Sequence, residues 1–189
     1  MLDILRFAMG KREHPQRIHC TGGLHDQGAP TDQETPNVQS ATFEYADGAT
    51  MRCDVQGWFC GNEGAGSFVY GTEGWMSLDG REGPKIYLGR KNEPGPDLRK
   101  QVPERGESDL VKAHFQNFID CVHSRKWQDL NADVEEGYMS TALCHLGNIS
   151  YRLKRPLVFD GRTERFKDED ANKYLKREYR APFVVPEKV

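Results

Sequence analysis

Residues 131–160, NADVEEGYMSTALCHLGNISYRLKRPLVFD, read as one long helix, a hard stop and a short apolar strand. Asn131 is placed to cap the start by accepting from the first free backbone N–H groups. Asp133, Glu135 and Glu136 put negative charge in the first turn, where the helix dipole is positive. Val134, Tyr138, Thr141 or Ala142, His145, Ile149 and Arg152 or Leu153 recur at three- and four-residue steps, which predicts one helical face. Arg152, Lys154 and Arg155 bring cations to the C-terminal end. Pro156 ends the helix, because the residue before a proline is pushed out of the α region.

Working outward from that helix, Ser108 is expected to cap another over 109–125. Its Leu110, Val111, Phe115, Phe118, Ile119 and Val122 make an apolar face towards the core, with His114 beside it. Residues 89–107, charged and rich in proline and glycine, read as a loop. Residues 15–80 read as strands. Arg17, His19 and Thr21 alternate with Ile18 and Cys20. Val38, Ser40, Thr42 and Glu44 alternate with Gln39, Ala41, Phe43 and Tyr45. Asp47-Gly48 is a hairpin signal, with 50–58 as the return strand. Met51, Cys53, Val55 and Gly57 there oppose Arg52, Asp54, Gln56 and Trp58. Polar and bulky groups on both faces suit a sheet whose faces meet different partners. Residues 67–70 and 75–78 form a pair about a tight turn, and 85–88 one more strand. Local connections favour antiparallel pairing. After the 156–160 strand, 161–189 form a tail with one short helix near 168–177 and an extended end. At the front, Leu2, Leu5, Phe7 and Met9 form an apolar helical turn or two, ended by Gly10 as C-cap. This stretch, 1–10, reads as the remnant of a longer helix.

A chain of 189 residues fits one large domain. A net charge of −3, with both signs interspersed, does not suggest a nucleic-acid or anionic-membrane partner. No apolar run approaches the ~20 residues of a membrane span. The five cysteines, Cys20, Cys53, Cys60, Cys121 and Cys144, form no CxxC pair and read as reduced, packed thiols. Clustered Cys and His at zinc-ligand spacing are missing, so no metal site is expected.

Few residues invite chemistry. GNEGAGS at 61–67 lacks the lysine of a P-loop, the spacing of a dinucleotide fingerprint and a following helix, so it reads as a strand connection. No Gly-x-Ser-x-Gly elbow supports a hydrolase. His145 lies mid-helix among apolar neighbours, and histidine titrates near neutral pH. A histidine hydrogen-bonded inside the core or at an interface is the commoner explanation of such a residue. Asn148, three residues on, would make a polar pair that needs partners. His114 is a weaker version of the same case. His19, His25 and Trp58 could project from sheet or loop towards a ligand.

The segment DVEEGYMSTALCHLGNISYRLKRPLVFD resembles the C-terminal part of the glucose–fructose oxidoreductase / inositol dehydrogenase / MocA (Gfo/Idh/MocA) family. The likeness is to a bacterial branch whose long helix carries Ser, His, Asn and Arg, here Ser140, His145, Asn148 and Arg152, before a strand ending in Asp, here Asp160. It continues through DEDANKYLKREYRAPFVVP and back through Thr35-Pro36, TFEYADG, YGTEGWMSLD and HFQNFIDCV, nearly the whole chain. Family members pair an NAD(P)-binding Rossmann domain, which carries a Glu-Lys-Pro type lysine, with a C-terminal α+β domain. The resemblance implies that second domain here. No Gly-x-Gly-x-x-Gly unit and no Glu-Lys-Pro is present. Asp3 and FAMG at 7–10 match the part that trails the family's Asp-x-x-x-His motif, which places the motif upstream of Met1.

The resemblance therefore implies an α+β fold, a large, mainly antiparallel or mixed sheet with helices on one face and the other face available for oligomerisation. Residues 1–189 form a single domain for substrate binding and oligomerisation. The parent would be an NAD(P)-dependent oxidoreductase acting on a sugar, polyol or sugar derivative. No catalytic or cofactor residue is expected in this chain; NAD or NADP belongs to the full-length parent. His25, Trp58, His114, His145 and Asn148 are the candidate substrate contacts. Expected partners are the parent's Rossmann domain, further copies through the sheet and a carbohydrate-like small molecule. The cytoplasm is the default compartment, an export signal being something the parent could carry upstream. Two alternatives stand beside this: a stand-alone scaffold module that dimerises through the sheet, and a domain of an NAD-dependent glycosidase of the same family.

Overall fold

The computed structural model describes residues 2–25, 32–57, 66–78, 83–98 and 107–186. They hold helices α1 (Leu2–Ala8), α2 (Glu107–Ser124), α3 (Val134–Leu153) and α4 (Glu169–Asn172). The strands are β1 (Arg17–Gly23), β2 (Val38–Glu44), β3 (Thr50–Gln56), β4 (Phe68–Tyr70), β5 (Gly74–Ser77), β6 (Lys85–Leu88), β7 (Glu93–Pro94), β8 (Leu157–Asp160) and β9 (Arg165–Phe166). This is the expected α+β class. Among the described residues every strand pairing is antiparallel, shared between a sheet ordered β3-β2-β1-β8-β9 and a second ordered β4-β5-β6-β7. The chain divides into two compact units: Met1–Arg12 with Cys60–Ala142, and Glu13–Phe59 with Leu143–Val189. Helix α3 contributes its first half to one and its second half to the other.

The Glu13–Phe59/Leu143–Val189 unit is built on alternation. Ile18 and Cys20 of β1, Ala41 and Phe43 of β2, and Met51 of β3 turn inward, register with one another and are buried. The opposite face carries Arg17, His19, Thr21, Ser40, Thr42, Arg52 and Asp54 (a polar surface). The β2–β3 hairpin closes as its Asp-Gly signal predicts. Gly48 takes φ 84°, and the Asp47 carboxylate accepts from the Ala49 N–H at 3.1 Å. Two-residue strands β7 and β9 were not expected, since two residues carry no periodicity.

Helix α3 lies on the inward face through Leu143, Leu146, Gly147, Ile149 and Ser150, all buried. This corrects the expected stripe: Val134 is 89% exposed, and Tyr138 and His145 are exposed too. The true stripe includes Gly147 and Ser150, small residues that let the helix approach the sheet. A Cβ built on Gly147 would sit 3.6 Å from the Ala41 Cβ and from the Phe43 ring. The N-cap also moves. Asp133, not Asn131, accepts from the N–H of Glu136, at 3.0 Å. The stop precedes Pro156. Lys154 takes φ 53°, its N–H bonds the Tyr151 carbonyl at 3.1 Å and the Arg155 N–H bonds that of Ser150 at 3.4 Å, a Schellman closure.

In the other unit, α1 ends in the same closure, with Gly10 at φ 65° as expected. Arg6 of α1 is 4% exposed and ties α1 to the start of α3. Its Nε donates to the Ser140 hydroxyl at 3.1 Å, and its guanidinium pairs with the Glu136 carboxylate. Cross-strand neighbours Tyr70, Trp75 and Tyr87 stack across β4, β5 and β6, with 4.3 Å between the Trp75 and Tyr87 rings. Helix α2 begins at Glu107, so Ser108 lies within it rather than before it. Its Leu110, Val111, Phe115, Phe118, Ile119 and Val122 are 43–61% exposed, so the expected core face is a surface. Only Cys121 of that helix is buried among the described residues.

Candidate functional site

The second half of α3 meets the sheet through one deeply buried polar group. Ser150 has no exposed surface, and its Oγ accepts from the Cys20 N–H at 3.0 Å and donates to the Arg155 carbonyl at 2.8 Å. Mid-helix serine usually competes with the helix. Here its hydroxyl satisfies strand β1 and the helix stop together.

Further along α3, Asn148 and Arg152 are one turn apart. Arg152 donates to the Glu34 carboxylate at 3.2 Å. Three residues after Glu34, the Asn37 side chain clamps His25: its Oδ1 accepts from the His25 N–H at 2.9 Å and its Nδ2 donates to the His25 carbonyl at 2.6 Å. The Gly57 N–H bonds the Asn37 carbonyl at 2.7 Å. Asn37 thus joins the ends of β1, β2 and β3, and leaves the His25 imidazole exposed. The Asn148 Oδ1 is buried with no hydrogen-bond partner, an arrangement that costs stability and so calls for an explanation.

Of the expected contacts, His25 and Asn148 both fall in this unit, His25 at the end of the sheet and Asn148 on the helix that covers it. His145 is also there, but its side chain is exposed, so it makes no buried pair with Asn148. Trp58 lies outside the described residues. His114 belongs to the other unit. It lines a cavity of about 260 Å³ with Phe115, Asn117, Phe118, Leu130 and Ala132. Asn117 shapes that cavity by donating to the Asp129 carbonyl at 2.9 Å and accepting from the Asn131 N–H at 2.9 Å. Sequence reading missed Glu34 and Asn37. Thr35-Pro36 beside them was the available signal, since a proline pins the loop that presents both.

The electrostatics are local. Arg155 donates to both oxygens of Asp170, at 2.7 and 2.9 Å, and pairs with Asp168 at 3.0 Å. The Arg155 hydrogen bond holds the Asp170 carboxyl below the usual carboxylate range. The Arg162 N–H and then the Thr163 hydroxyl do the same for Asp160. Burial pushes the Cys20 and Cys53 thiols up. Among the described residues, no three His, Cys, Asp or Glu side chains are grouped to hold a metal, and no helix is long and apolar enough to cross a membrane. Most of the 61–67 glycine stretch lies outside the described residues. Its last members, Gly66 and Ser67, run into strand β4 rather than a helix, so they offer no helix N-terminus to a pyrophosphate.

A family model described as "Oxidoreductase family, C-terminal alpha/beta domain" (GFO_IDH_MocA_C2) matches residues 2–185. Among solved structures, the chain is similar to an aldose–aldose oxidoreductase from Caulobacter crescentus complexed with glycerol. The TM-score is 0.61 at 16% identity, over 84% of this chain and 44% of that one. It is similar to an oxidoreductase from Agrobacterium radiobacter in complex with NAD+, L-tartaric acid and magnesium (0.55, 17%, 83% and 46%). It is also similar to the WlbA dehydrogenase from Bordetella pertussis in complex with NADH and UDP-GlcNAcA (0.54, 16%, 84% and 42%). At these identities the likeness establishes the fold. The chain spans less than half the length of each of these structures. Among curated proteins, none matches it.

Proposed function

Because the chain belongs to the Gfo/Idh/MocA oxidoreductase family as its C-terminal α/β domain, we propose that it serves as the substrate-binding and oligomerisation domain of an NAD(P)-dependent oxidoreductase acting on a sugar, polyol or sugar derivative. The family match over residues 2–185 carries this reading. The hydroxyl-rich or sugar-nucleotide ligands named for the similar structures support the substrate class. In this chain, the exposed His25 imidazole and Arg152 guanidinium are the donors that substrate oxygens would meet. Asn37 and Glu34 hold them in place. The nicotinamide would be bound by a Rossmann domain of the parent and would accept the hydride there. The described end of the 61–67 glycine stretch, Gly66 and Ser67, leads into a strand, which supports leaving the hydride chemistry to the parent's Rossmann domain.

The test uses the purified chain with NAD+ or NADP+ and a panel of aldoses, polyols and sugar nucleotides. Expected are no turnover, no tight dinucleotide binding, and sugar-induced NMR shifts at His25 and Arg152 that Asn37→Ala reduces. Nucleotide-dependent dehydrogenase activity from this chain alone would sink the reading. A scaffold role remains a second reading, with the exposed apolar stripe on α2, rather than the expected sheet, as the surface that would associate. Sizing chromatography separates the two: a tight dimer with no sugar response supports the scaffold.

A further inference from the structure

Glycines 22, 23 and 57 border the clamp between Asn37 and His25, and they lack side chains for different reasons. A Cβ built on Gly22 would sit 2.4 Å from the Val38 carbonyl oxygen and 2.9 Å from the Gln39 Cα. One built on Gly57 would sit 2.7 Å from the Asn37 carbonyl oxygen, the atom that accepts from the Gly57 N–H. Both would press on backbone, so both glycines serve the close approach of neighbouring chain. Gly23 differs. Its built Cβ would meet the His25 ring, at 2.8 Å from Nε2, 3.3 Å from Cε1 and 3.5 Å from Cδ2. Heavy atoms in contact settle at about 3.5–4.0 Å. The imidazole therefore lies in space that any other residue at position 23 would fill with its own side chain.

We propose that Gly23 is a positioning residue for His25: the bare backbone at the end of β1 is a seat that holds the imidazole in one orientation towards a substrate. The inference deepens the reading of His25 as a substrate contact and rests on it. The backbone of His25 is fixed independently, because the Asn37 side chain takes both its N–H and its carbonyl. The ring then keeps only its two side-chain torsions, and contact with Gly23 restricts them. His25 is still exposed, so the seated ring remains open to a ligand. A substrate oxygen meets a group already in place, and binding does not have to order it. Having to order one side chain on binding weakens affinity by about 2- to 10-fold.

Alanine at position 23 separates orientation from folding. Gly23 belongs to a regular strand and has no left-handed φ, so its backbone accepts alanine. The atoms in the way are the far end of a movable side chain. The strand should stay and the ring should swing out.

The experiment is NMR on the full chain, with glucose, glycerol and UDP-N-acetylglucosamine as probes. In the unmutated chain, nuclear Overhauser contacts should join the Gly23 α-protons to the His25 ring protons. In Gly23→Ala the ring protons should move to the shifts of a freely exposed histidine, with the urea midpoint unchanged or higher. Gly57→Ala, which presses on backbone, should lower the midpoint. Any probe that shifts His25 should bind Gly23→Ala about 2- to 10-fold more weakly. In a His25→Ala background Gly23→Ala should add nothing further, which a glycine needed only for folding would not show. Absence of the Gly23–His25 contacts in the unmutated chain overturns the proposal, as does a Gly23→Ala variant that binds the probe as tightly as the unmutated chain. If no probe shifts any resonance, the sugar-binding reading fails, and the Gly23–His25 contacts still decide whether the seat exists.

Discussion

Ser150 shows how much one hydroxyl can hold. It satisfies a buried N–H on β1 and a carbonyl beyond the helix stop. Replacing it with alanine leaves the Cys20 N–H without that acceptor, at the penalty for an unsatisfied buried donor. Ser150→Ala should cost about 1–3 kcal/mol in urea unfolding. A loss below about 0.5 kcal/mol would mean that water takes over the bond. Asp170 and Arg155 act through pH instead. A carboxylate whose folded pKa is depressed adds stability above its unfolded pKa and loses it as pH falls through the folded one. Arg155 depresses Asp170 in this way, and backbone and hydroxyl donors depress Asp160. Acidification below the ordinary aspartate range should therefore lower the urea midpoint. Asp170→Asn should flatten that decline, and an unchanged acid slope in the variant would refute the coupling. Both pairs are exposed, so salt should weaken the effect.

At the scale of an element, α3 owes its position to small residues and its end to a strained one. Lys154 sits at φ 53°, where a side chain costs about 1–2 kcal/mol against glycine. Lys154→Gly and Lys154→Ala both lose the cation near the helix end. The glycine variant should be the more stable of the two by about 1 kcal/mol in thermal or urea unfolding. Equal stabilities would mean that the left-handed closure does not persist in solution. Gly147 poses the reverse question. Its built Cβ meets Ala41 and Phe43 at ordinary contact distance, so Gly147→Ala should be tolerated and recover about 1 kcal/mol of helix propensity. A larger Gly147→Leu should lift the helix from the sheet and lower the urea midpoint.

For the whole molecule, the apolar face of α2 matters most. Six large side chains along one helix are at least two-fifths exposed. Polar replacements there, Phe115→Glu with Phe118→Glu, remove little buried surface. The stability of the dilute chain should then stay within about 0.5 kcal/mol, while concentration-dependent association and dye binding fall. A loss of several kcal/mol would show instead that the stripe is part of a core.

Alternation along β1, β2 and β3, the Asp47-Gly48 turn and the Gly10 cap were legible in the sequence, because each is decided by a residue and its immediate neighbours. So was the family, since ordered motifs along the chain carry it. The stripe on α3 was not legible. Its docking surface is made by Gly147 and Ser150, which apolar periodicity passes over, while the bulky Val134 and Tyr138 that it favours are exposed. Nor was the partnership of Asn37 with His25 or of Arg152 with Glu34, each joining residues brought together only by the turns between strands. Local stereochemistry fixes turns, caps and the inward side of a strand from the chain alone. Which helix face meets the sheet, and which distant polar groups find each other, is settled by packing, because only close approach of the backbones rewards a small residue over a large one.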